Sequence, residues 1–92
     1  MRNRTQQKER EEIMITNVYS IRDTLAEIFN QPFCEINNAT AIRAFSSAML
    51  EKPNKDDYIL YHIGTYDDLT GQHTVNEPVK IFSGLDVRKE DK

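Results

Sequence analysis

Few side chains in this 92-residue sequence are suited to catalysis or tight binding, and their placement limits what they can do. Asp67-Asp68 followed by His73 comes nearest to a metal or acid–base cluster. Adjacent carboxylates at the end of an apolar run ordinarily cap turn N–H groups and face water, so a divalent-metal nuclease built on them is the minor reading. His62, inside an apolar run, reads as facing solvent or satisfied by a neighbour. Cys34 is the single cysteine, which excludes an internal disulfide and a Cys-rich metal site. It reads as a small, half-buried hydrophobe. There is no nucleophile elbow, phosphate-binding glycine loop or paired metal-ligand spacing. No catalytic residue, metal ligand or cofactor is therefore expected, and the chain reads as nonenzymatic.

Binding chemistry remains. Arg43 falls in the expected first turn of a helix, beside N–H groups that lack intrahelical partners and attract phosphate or carboxylate. Arg22, at the end of the first expected strand, lies near it if the hairpin folds toward the helix. The plainer alternative pairs both arginines with Asp23, Glu27 or Glu35. Phe33, Tyr19, Tyr61 and Tyr66 offer rings on which single-stranded bases can stack, or else they fill the core.

The elements that must position these residues follow from periodicity. From Ile13 to Arg22 the pattern alternates, with Ile13, Ile15, Asn17, Tyr19 and Ile21 on one face and Met14, Thr16, Val18, Ser20 and Arg22 on the other. Period two with β-branched and aromatic residues predicts a strand. Two readings compete for the next segment: Thr24-x-x-Glu27 as a capping box opening a short helix to Asn30, or Asp23–Ala26 as a turn returning as a strand over Glu27–Ile36. Pro32 excludes a long helix and implies an edge strand, which favours the second. Asn37-Asn38, with Thr40 as another candidate cap, starts a helix. Its apolar stripe runs through Ala41, Ile42, Phe45, Ala48, Met49 and Lys52, and Pro53 stops it.

Tyr58–Tyr66 is apolar on both faces, which predicts a central strand, with Gly64 marking a bulge or a close neighbour. Asp67-Asp68 and Leu69-Thr70-Gly71 turn the chain. Gln72–Val75 and Val79–Phe82 form a last strand broken near Asn76-Glu77-Pro78. The sum is an α+β fold, a small four-stranded, mostly antiparallel sheet in β-β-α-β-β order with one helix packed on a face. Ile15, Tyr19, Ile21, Phe45, Met49, Leu60 and Ile81 are its expected core. Residues 1–12 read as a flexible charged tail, 13–87 as a single domain and 88–92 as a frayed end.

Composition sets outer bounds. The chain is 38% apolar and 29% charged, with a net charge of −3. Residues 1–12 carry four basic and three acidic side chains, and the remainder carries eight and twelve, so the expected domain is acidic. Proteins that hold duplex DNA electrostatically are usually basic or carry a basic stripe, and neither is visible. No apolar run approaches the roughly 18 residues of a membrane span, and the start has no signal-peptide apolar region. A soluble intracellular protein with no membrane partner is expected. Its small core and the Pro32 edge suit a homodimer.

Three segments carry a resemblance: Tyr19-Ser-Ile-Arg-Asp23, then Asn30-Gln-Pro-Phe33 leading to Ala41-Ile-Arg-Ala-Phe45, then Asp57-Tyr58 through Ile63-Gly-Thr-Tyr-Asp-Asp68. In this order and spacing the chain resembles the small nonstructural protein of gokushovirus-type microviruses, phages with circular single-stranded DNA. The likeness runs from about Val18 to Gly84. It implies a DNA-binding or replication accessory protein, the counterpart of the microvirus packaging protein C. Such a protein would act in the host bacterial cytoplasm and assist single-stranded genome synthesis and packaging. Single-stranded DNA, the viral replication initiator or procapsid proteins are the implied partners. The alternative is an adaptor or scaffold for the initiator or procapsid with no DNA contact. The family supplies no catalytic residues. Arg22, Arg43 and Phe33 are the candidate DNA-binding residues, chosen from charge, helix position and aromatic character.

Overall fold

The computed structural model describes residues 15–88. The expected tail, the strand start at Ile13-Met14 and the end beyond Arg88 lie outside the described residues. The chain folds in the expected β-β-α-β-β order, with the second lane of the sheet divided into two short pieces. Strand β1 spans Ile15–Asp23, β2 Ile28–Phe29 and β3 Phe33–Glu35; helix α1 spans Asn38–Met49; β4 spans Tyr58–Asp67 and β5 Gln72–Ser83. All pairings are antiparallel, and the order across the sheet is β2-β1-β4-β5, with β3 beside β2 on the outer edge of β1.

The segment after β1 is the turn and edge strand. Asp23 Oδ1 accepts from the backbone N–H groups of Leu25 and Ala26, and Glu27 closes the turn at φ 64°, which no helix permits. Thr24, the expected cap, instead donates its hydroxyl and backbone N–H to the Asp57 carbonyl. The edge strand is split at Asn30-Gln31-Pro32, because proline has no N–H to give the ladder. There Ser20 Oγ donates to the Asn30 carbonyl at 2.7 Å, a side-chain substitute for a lost strand bond.

Asn37 caps α1. Its side chain accepts from the Thr40 N–H at 2.9 Å and Thr40 Oγ1 accepts from the Asn37 N–H, a reciprocal capping box. Ala41, Phe45 and Met49 form the buried stripe, with Ile42 and Leu50 packed beside it. Ala48 and Lys52, placed on that stripe by periodicity, are exposed. The helix ends at Met49, before Pro53, and Lys52 lies beyond it with its ammonium 5.2 Å from the Tyr58 ring.

The core gathers Tyr19, Ala41, Phe45, Met49, Leu60 and Val87, with Ile21, Phe33 and Ile81 at its margin. Burying Phe45 or Leu60 contributes about 1.5–3 kcal/mol each. Ile15, an expected core residue, is 49% exposed. A 12-residue helix is about 18 Å long, too short to cover a molecule 48 Å in its long dimension, and Ile15 lies at the uncovered hairpin end opposite Asp67. Val87 enters the core through a short 3-10 turn at Gly84–Asp86, which is pressed against the turn at Lys55–Asp57. A side chain at Gly84 would overlap the Lys55 carbonyl, so glycine is the residue that permits this closure.

Bulges shape the sheet. Val18 pairs with Gly64 and Tyr19 with His62, so Ile63 is an extra residue on β4. Strand β5 is continuous rather than broken, but Asn76-Glu77-Pro78 lies opposite Ile63 alone. Gly64 meets both expectations: it adjoins the bulge, and a Cβ there would strike the Thr74 carbonyl.

Tyr19 ties the layers together. Its ring is fully buried, stacks 6.0 Å from Phe33, receives the edge of His62 at 5.2 Å, and its hydroxyl donates to Asn38 Oδ1 at 2.6 Å. Burial, with a smaller contribution from the Glu35 charge, raises its pKa above the ordinary value of 10.0. Above pH 10 the unfolded tyrosine loses a proton that the folded one keeps, so this contribution to stability is whole below about pH 10 and falls as pH rises beyond it. Tyr19→Phe should cost about 1 kcal/mol at neutral pH through the lost hydrogen bond and flatten the alkaline decline. Chemical denaturation from pH 7 to 11 reads both effects.

Candidate nucleic-acid interface

The alternation of β1 assigns the two faces. Odd positions from Asn17 to Ile21 lie on the helix side; Thr16, Val18, Ser20 and Arg22 lie on the side without a helix. Strand pairing extends this open face across the sheet. Arg22 stands between Phe29 and Ile59; Ser20 faces Tyr61, whose other partner is Lys80. Val18 lies between Cys34 and Gly64, and Thr16 faces Tyr66, which pairs with His73.

Aromatic and cationic groups meet there. The Arg22 guanidinium lies 5.2 Å from the Phe29 ring centroid, and Phe29 packs edge-on against Tyr61 at 5.3 Å. Phe29 is 41% exposed, and Lys80 and His73 are exposed. None of these ladder positions carries a carboxylate. The described acidic residues sit elsewhere: Asp23, Glu27, Asp56 and Asp57 around one end, Asp67 and Asp68 at the hairpin tip, Glu35 on the helix side, Glu51 just after α1, Asp86 in the 3-10 turn before Val87 and Glu77 in the β5 bulge. An acidic chain thus presents one face whose ladder charges are cationic. Two cavities open on it, about 320 Å³ beside Phe29 and Ile63 and about 170 Å³ among Val18, Cys34, Tyr66 and His73.

Of the candidate DNA-binding residues, only Arg22 is on this face. Arg43 is the sixth residue of α1, not in its first turn, because Asn37 rather than Thr40 is the cap. It lines a separate cavity with Ile42, Ser46, Ser47 and Arg88 on the helix side. The sheet separates the two arginines, and neither makes the anticipated pair with Asp23, Glu27 or Glu35; Lys55–Asp56 is the one ion pair among the described residues. Phe33 pairs with Tyr19 and packs at the core margin on the helix side. Tyr61 and Tyr66 are on the open face, half-buried. Sequence reasoning missed Phe29 and Lys80. Phe29 falls in a two-residue strand at the expected edge, and Lys80 reaches the open face because Ile81 is an extra residue opposite the Leu60–Tyr61 step.

The remaining polar residues have structural roles. Asp67 Oδ1 caps the Leu69 N–H at 2.9 Å, and His73 belongs to the opposite face of the strand pair, so these do not cluster. His62 Nε2 is 2.9 Å from Asn17 Oδ1. Among the described residues, no three of His, Cys, Asp and Glu are placed to hold a metal ion, and no helix is long and apolar enough to cross a membrane.

Fold and face together define a small α+β protein whose sheet is packed by a helix on one side and left as an aromatic, cationic platform on the other. The chain belongs to the phage ORF5 protein family, whose match spans residues 16–87. Comparison with curated proteins and with solved structures gives no match.

Cys34 is exposed on the open face, contrary to its half-buried expectation. A thiol reagent should therefore modify it in the native protein at a rate close to that of the unfolded chain. Strong protection in the free protein would mean that this face is covered in solution.

Proposed function

We propose that this protein is a nonenzymatic phage accessory protein that binds single-stranded DNA on its open sheet face. The carrying observation is the cluster of Arg22, Phe29 and Tyr61, continued by Lys80 and free of carboxylates at its ladder positions. Aromatic rings on an uncovered sheet give stacking of about 1–3 kcal/mol per base. Two cations follow the backbone and contribute a salt dependence of only about −0.7 per phosphate contacted. Such an interface selects single strands, since a duplex hides the faces of its bases. The family match supports a phage protein. The likeness of the three segments to the gokushovirus nonstructural protein supports a role in single-stranded genome synthesis and packaging within the host cytoplasm.

A second reading is favoured by the net acidic charge and by the exposed length of β5 at the sheet edge. An extended segment of the replication initiator, of a procapsid protein or of a second copy could pair there. That reading gives protein binding that is insensitive to salt and no affinity for DNA.

Fluorescence anisotropy of a labelled single-stranded oligonucleotide, titrated at two salt concentrations, separates the two. Phe29→Ala and Tyr61→Ala should each weaken binding by about 1–3 kcal/mol, and Arg22→Gln should lower the logarithmic salt slope by about 0.7. Arg43→Ala should change neither. An effect of Arg43→Ala as large as that of Arg22→Gln would put the DNA on the helix side, and flat titrations would leave the protein-partner reading.

A further inference from the structure

The larger cavity of the open face, about 320 Å³, lies between the β2–β3 connection and the β5 bulge. Phe29, Pro32, Ile63, Val75 and Pro78 give it apolar walls. The Asn30 side-chain amide makes no hydrogen bond among the described residues and can turn to donate or accept, so it does not discriminate between bases; the other polar groups are engaged. Ser20 Oγ donates to the Asn30 carbonyl at 2.7 Å, and the Asn30 N–H donates to the Ile21 carbonyl at 2.8 Å. Asn76 Nδ2 donates to two backbone carbonyls, Glu77 at 2.7 Å and His62 at 3.3 Å. Because both partners are acceptors, the amide can sit only with its nitrogen toward them. With both N–H groups engaged, Asn76 keeps one group for a ligand of the cavity it lines, the acceptor Oδ1.

An apolar slot with a fixed acceptor suits a flat heterocycle that carries an N–H₂ group. Resting on the reading that this face binds single-stranded DNA, we infer that the cavity receives one unstacked nucleobase and that Asn76 Oδ1 accepts from its exocyclic amine. Cytosine, adenine and guanine carry such a donor, whereas thymine offers only its ring N3–H, flanked by the O2 and O4 acceptors that would also face Oδ1. The site therefore prefers an amine-bearing base to thymine. The bulge makes this possible: it takes Asn76 out of the regular ladder opposite Ile63 and fixes its amide by the same two hydrogen bonds that hold the loop.

The test is an anisotropy comparison of short oligo(dC), oligo(dA) and oligo(dT) with an oligonucleotide of 2-pyrimidinone, which is cytosine without its amine. One hydrogen bond predicts about a two- to tenfold preference for oligo(dC) over oligo(dT), lost when the amine is removed. Asn30→Ala, across the cavity, should keep the preference, and Asn76→Ala should abolish it. Asn76 also holds the bulge, so the analogue, which leaves the protein untouched, is the deciding arm. Equal binding of oligo(dC), oligo(dT) and the analogue overturns the base preference while leaving DNA binding in place. Absence of binding to every oligonucleotide overturns the DNA reading and this inference together.

Discussion

Tyr19 is the joint on which the architecture depends. One side chain stacks on β3, receives the edge of a β4 histidine and hydrogen-bonds the first residue of α1. A domain of this size can bury only one substantial core, and Tyr19 commits that core to the side of the sheet where the helix lies. The other side is then formed from the alternate residues of the same strands, with no helix to cover it, although Val18 and Ser20 at its centre are buried by their neighbours. The open face follows from burying the first face with so few residues.

That division also separates charge. Among the described residues the acidic side chains collect at the turns, the hairpin tip and the helix side, with Glu77 in the β5 bulge, whereas the open-face ladder positions keep Arg22 and Lys80. Overall charge is thus a poor guide to what this chain can bind. Short-range stacking supplies the affinity and a pair of cations the orientation, so a net charge of −3 does not oppose contact with one strand of DNA. The bulge at Ile63 and Asn76–Pro78 contributes the remaining feature, a recess in an otherwise regular sheet.

Much of this was legible in the residues because local chemistry dictates it. The alternation of β1 gave its two faces, Pro32 marked the edge, Gly64 marked the bulge, and Asn37 with Thr40 contained both halves of the cap. What escaped depends on pairing. Tyr58–Tyr66 is apolar on both faces, so although Gly64 marks a bulge, nothing in the strand shows that Ile63 is the extra residue or that the alternation shifts there. Phe33 became a core residue through its register opposite Tyr19, and the same register sent Cys34 outward. With Asn37 rather than Thr40 as the cap, Arg43 lies three positions further from the helix N-terminus, and because α1 packs on the Tyr19 side of the sheet it is across the sheet from Arg22. Val87 is a lone apolar residue in a polar end, and only the docking of two short 3-10 turns brings it inside.

We propose that the open sheet face, not the helix side, meets single-stranded DNA. This is tested most directly by following backbone amide resonances while an unlabelled single-stranded oligonucleotide is added at low salt. Saturable shifts confined to the open face are expected, around Arg22, Phe29, Tyr61, Tyr66 and Lys80, with Arg43 and Ser47 unmoved. Shifts centred on α1, or a spectrum unchanged at saturating oligonucleotide, would contradict it.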